Sequence, residues 1–124
     1  MKTYDPDTTL IGSDWLKLDE GERIELVSSY HRRKKIRLPN SQLHAVIHVI
    51  VENQLALEEQ TVITTLTRLQ HEGLSRHDAL HAIGSVLAED LYELMREDST
   101  SESQVRARYF ARLEKLRALD WRAG

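Results

Sequence analysis

The sequence predicts an all-α fold: a compact four-helix bundle with an additional C-terminal helix. Three observations lead there. Apolar residues recur at three- and four-residue spacing through most of the chain, the period of an amphipathic helix. Only 5 glycines and 2 prolines interrupt 124 residues, too few for a turn-rich β fold. Good helix caps, Asn40 and Ser75, stand in front of two of the periodic stretches.

Residues 1–14 read as an irregular arm, with Asp5-Pro6-Asp7 as a turn signal and Gly12-Ser13 as a break. Residues 15–124 read as a single helical domain, onto which Trp15, Leu16 and Leu18 pack the arm. A first helix is expected over Asp19–Lys34, with Glu20 and Glu22 in its first turn and basic residues at its end, as the helix dipole favours. Its apolar face is Ile24, Val27 and Tyr30, with Leu26 nearby. The basic cluster HRRKKIR over 31–37 is then a solvated C-terminal turn, since no RNA-binding motif accompanies it.

A second helix should run over Ser41–Leu57 behind Asn40, with Leu43, Val46, Ile47, Ile50, Val51 and Leu55 spanning about half its circumference. A third, Glu59–Glu72, turns Val62, Ile63, Leu66 and Leu69 inward, and Gly73 suits its left-handed end. The fourth starts at Ser75 and reaches Glu97, its core stripe Leu80, Ile83, Leu87, Leu91 and Leu94. Residues 98–104 form a polar hinge. The last helix, Glu102–Leu119, places Val105, Tyr109, Leu113 and Leu116 inward and Arg106, Arg108, Arg112, Lys115 and Arg117 largely outward.

The candidate chemistry lies between His44 and His81. His44, His48 and Glu52 follow each other at four-residue spacing along a margin of the second helix, and His77 and His81 repeat that spacing on the fourth. Two such stripes on facing helices would supply a metal with imidazole and carboxylate ligands, as helix-bundle metal sites do. With no cysteine in the chain, a transition-metal site must be built from histidine and carboxylates. The candidate ligands are therefore His44, His48, Glu52, His77 and His81, with Glu52 also a candidate general base. Gln54 and Asp78 are candidates for orienting them; Asp78 is also placed to cap the fourth helix with Ser75. His31 and His71 fall outside both stripes and read as surface residues. The metal would be zinc or iron. H-E-x-x-H is absent, and so are the paired Glu-x-x-His elements of di-iron bundles.

The segments HAVIHVIVENQ (44–54) and GLSRHDALHAIG (73–84), with WLKLDEGERIELVSSYH (15–31) before them, resemble a group of small bacterial helical domains of unknown function. The resemblance covers roughly residues 15–95. It implies a helical fold and no particular reaction.

Other classes are narrowed by composition. A formal charge of −3 disfavours a general nucleic-acid binder. No apolar run approaches the roughly 20 residues of a membrane span, and acidic residues interrupt the N-terminus where a signal peptide would be apolar. A cytoplasmic protein is expected. Two functions follow: a small metal-binding protein, with hydrolysis by a metal-activated water or iron redox chemistry at its site, or a non-enzymatic interaction module with a structural His–Glu hydrogen-bond network. A homo-oligomer would form through the C-terminal helix.

Overall fold

Asp19 shows how the sequence places its helix starts. Its carboxylate accepts the Glu22 amide at 2.7 Å while the Glu22 side chain returns to the Asp19 amide, a capping box that fixes the first turn. The same logic recurs along the chain. Asn40 accepts the Leu43 amide, Ser75 the Asp78 amide, and Ser101 the Gln104 amide.

The computed structural model describes residues 3–34, 40–96 and 101–123. Among them are seven helices and no strand: α1 (Gly12–Leu16), α2 (Glu20–Arg33), α3 (Ser41–Ala56), α4 (Gln60–His71), α5 (Arg76–Arg96), α6 (Glu102–Lys115) and α7 (Ala118–Ala123). The protein is all-α. No helix is long and apolar enough to cross a membrane among the described residues. Most of the basic cluster's end, 35–37, and the start of the predicted hinge, 98–100, lie outside the described residues.

The chain divides into two compact units, Met1–Glu59 and Gln60–Gly124. In the first, α1 and α2 both pack on α3. Its core is Tyr4, Trp15, Val27, Tyr30, Ala45 and Val49, with Leu10, Leu18, Ile24, Leu26 and Ala56 packed around it. The arm is more ordered than expected. Gly12 and Ser13 open a short helix instead of breaking the chain, and the lack of a side chain at Gly12 lets it approach α3 closely, since a Cβ there would sit a tight 3.2 Å from the Ala56 backbone. Asp5 ties the preceding turn by accepting from the Asp7 amide and the Thr8 hydroxyl. Behind it, Trp15 Nε1 donates to Asn53 Oδ1 at 2.8 Å, and Arg23 donates to the same oxygen and to the carbonyls of Leu16 and Leu18. One amide oxygen of α3 thereby holds α1 and the start of α2. Leu43, expected inward, is half exposed in the first turn of α3.

In the second unit α4, α5 and α6 pack on one another and α7 lies against α5. Val62, Leu66, Leu69, Leu80, Ile83, Leu87, Tyr109 and Leu113 are buried there. The last helix departs from expectation at Leu116, where the backbone turns extended and a new helix starts at Ala118. The cause is polar. Arg68 donates to the Leu113 and Leu116 carbonyls, and Glu72 accepts from the Ala118 amide at 2.8 Å and from Arg117 Nε at 3.0 Å. Groups that helix ends leave unpaired are satisfied from α4, so the break costs little.

The arginine-rich face also differs. Arg106, Lys115 and Arg117 are exposed as expected, but Arg112 turns inward to Asp90 and to both carboxylate oxygens of Glu93, with Arg108 3.8 Å from Asp90. Asp90 is only 1% exposed. Burial pushes its carboxyl up, against the pull of Arg112 and Arg108.

Two helix ends share one geometry. After α4, the Gly73 amide donates to the Gln70 carbonyl and the Leu74 amide to the Leu69 carbonyl, with Gly73 at φ 105°. After α3, Glu58 and Glu59 donate to Leu55 and Gln54 in the same way, with Glu58 at φ 60°. This is the Schellman turn, and it favours glycine at the left-handed position. Glu58→Gly should therefore raise stability by about 1 kcal/mol, seen as a higher urea midpoint; an unchanged or lower midpoint would show that the turn carries no strain.

Glu72 generates a pH prediction. The Ala118 amide, then Arg68 and Arg117, hold its carboxyl below the usual range despite its partial burial. A carboxylate depressed in the folded state contributes stability above its unfolded pKa and loses it as pH falls through the lowered value. In Glu72→Gln the acid limb of stability against pH should flatten; a limb as steep as wild type between pH about 5 and 3 would remove Glu72 as a contributor.

Candidate metal centre

Four-residue spacing puts His44, His48 and Glu52 on one side of α3, and packing of α3 against α2 brings His31 beside them. His31 was expected at the surface; it is 5% exposed. It sits in the last turn of α2, where its ring meets His44 edge-to-face with centroids 4.8 Å apart and His48 at 5.8 Å. One ring nitrogen from each of His31, His44 and His48 lies within 4.8 Å of the others. His71, the other histidine expected at the surface, is exposed.

The stripe on α3 is buried rather than marginal. His48 is 4% and Glu52 1% exposed, and His44 is half-buried. The reason is the arm, which lays Tyr4 across them. Tyr4 is itself 1% exposed, ringed by Trp15, Tyr30 and His48 at centroid distances of 5.8, 6.2 and 5.4 Å. Its hydroxyl donates to Glu52 Oε2 at 2.5 Å and shares a 2.6 Å hydrogen bond with His48 Nε2. Arg33 closes the arm from outside by donating to the Tyr4 carbonyl.

Chemically, His31 is prepared as a ligand. Its Nδ1 lies 2.8 Å from the Val27 carbonyl oxygen, which can only accept. The hydrogen therefore sits on Nδ1, and Nε2 carries the lone pair a metal needs. A backbone carbonyl on the remote nitrogen is the usual partner of a ligating imidazole. Burial also holds the His31 ring below the ordinary imidazole range, outweighing the Val27 hydrogen bond, which keeps it neutral and able to donate its lone pair.

His77 and His81 are in the second unit on α5, half-buried, with their Nε2 atoms 3.0 Å apart and the His81 ring 6.4 Å from that of Trp121. At that distance one ring donates and the other accepts. Asp78 is exposed, its amide on the Ser75 hydroxyl at the start of α5. Gln54 is half-buried, and its carbonyl accepts the Glu59 amide. Sequence reasoning missed Tyr4 and His31. Tyr4 belongs to no periodic stripe and reaches α3 only through tertiary packing; His31 stands four residues after Val27 on the apolar face of α2, and that spacing was the local signal for its burial.

No family model, curated protein or solved structure matches the chain.

His31 gives this site its pH signature. An imidazole held below its unfolded pKa contributes stability above about pH 6.5 and loses it as pH falls through the lowered value. The drop in urea midpoint between pH about 7.5 and 5.5 should be smaller in His31→Gln than in wild type; an equal drop would mean that His31 is not buried neutral.

Proposed function

We propose that the protein is a small metal-binding protein whose first unit holds a divalent transition-metal ion, zinc or iron, on His31, His44 and His48. The observation carrying this reading is the closeness of three imidazoles, two of them almost wholly buried. Nitrogens about 2.1 Å from one tetrahedral ion stand about 3.4 Å apart. The nitrogens lie within 4.8 Å of one another, so closure by at most about 1.4 Å would let all three share it. Zinc held by imidazoles activates water where a coordination position stays open; iron on the same donors would support redox chemistry.

The second reading is a metal-free interaction module, in which the Tyr4–His48–Glu52 hydrogen bonds serve structure alone. Its contact surface would include the exposed apolar residues Tyr92, Met95 and Leu119, and copies of the chain would pair through its C-terminal region.

Elemental analysis and thermal melting separate the two. Purified protein should carry about one equivalent of metal. Zinc restored after chelation should raise the melting temperature by the equivalent of about 2.7 kcal/mol at a hundredfold excess over Kd, and His44→Ala should lose most of that rise. Metal-free protein with one melting temperature across added zinc, iron and manganese would favour the interaction module instead.

A further inference from the structure

Two short hydrogen bonds at Tyr4 decide more than packing. A phenol has one hydrogen to donate, and an ionised carboxylate can only accept. With the Tyr4 hydroxyl donating to Glu52 Oε2, its oxygen is left as the acceptor in the 2.6 Å contact with His48 Nε2. His48 must then carry its hydrogen on Nε2, and the lone pair lies on Nδ1.

We propose that Tyr4 and Glu52 are positioning residues of the metal centre: they lock His48 with its hydrogen on Nε2, so that His48 coordinates through Nδ1 while His31 coordinates through Nε2. The inference rests on the metal-binding reading of the same site. It gives Glu52 a role other than ligand or general base. Its negative charge, 1% exposed and bound to the phenol, reaches the imidazole through a neutral oxygen. That polarises the Nε2–H bond and makes Nδ1 a better donor to a cation, as carboxylates behind ligating histidines do. Tyr4 is the link because the arm places it between the two; its ring packs against Trp15, Tyr30 and His48, so the hydroxyl can be removed while the ring stays.

The test uses the full chain and two readouts. In metal-free protein, nitrogen NMR of the imidazoles should show Nε2 protonated on His48 and Nδ1 protonated on His31. The His48 Nε2 proton should be shifted far downfield in wild type and should lose that shift in Tyr4→Phe. Zinc affinity, measured by competition with a chelator, should fall about 10–100-fold in Tyr4→Phe and in Glu52→Gln. Both variants should keep the wild-type circular dichroism spectrum; where Glu52→Gln fails to fold, Tyr4→Phe alone decides. His48 protonated on Nδ1, or Tyr4→Phe binding zinc as tightly as wild type, overturns this inference and leaves the metal reading standing. Wild-type protein that binds neither zinc nor iron overturns the metal reading and the positioning role with it, even if the NMR shows the expected tautomers.

Discussion

A buried carboxylate constrains the first unit. Glu52 is almost completely removed from water, and an ionised group in that position is costly unless hydrogen bonds replace its hydration. The Tyr4 hydroxyl supplies one such bond, and this requires the arm to return across α3. Trp15, donating to Asn53 one residue further along α3, fixes the arm a second time. The burial of His48, the edge-to-face stacking of the imidazoles and the order of residues 3–16 all follow from that return.

The second unit meets a related problem with arginine. Asp90 is buried on α5, and Arg112 from α6 bonds one of its two oxygens, with Glu93 holding the other arm of the same guanidinium. Arg68 and Glu72 do for helix ends what Arg112 does for a side chain, taking up two carbonyls and an amide where α6 stops and α7 starts. A buried pair of this kind contributes modest net stability, but losing one partner leaves an uncompensated charge. These contacts therefore specify which helices pack together more than they add to total stability.

Much of the fold was legible because helix signals are local. Asn40, Ser75 and Gly73 announced their turns, and the apolar spacing of α2, α4 and α5 named residues that are indeed buried. The spacing of His44, His48 and Glu52 was equally plain. What periodicity does not reveal is how a helix is rotated against a neighbour that has yet to be placed. Leu43 and His48 were ranked by one helical wheel, yet Leu43 is half exposed and His48 is interior. Tyr4 lies 44 residues from His48, and no local pattern marks a partner at that distance. Arg108 and Arg112 looked solvated because a charged stripe usually is, and only the position of Asp90 on another helix shows otherwise.

The separation between Tyr4 and its partners also orders events during synthesis. Position 4 leaves the ribosome long before positions 48 and 52, and chains are made at roughly 5–20 residues per second. For several seconds the tyrosine hydroxyl lacks both of these partners. The imidazole cluster is thus roofed over only after α3 has emerged, by a tyrosine made long before the residues it covers.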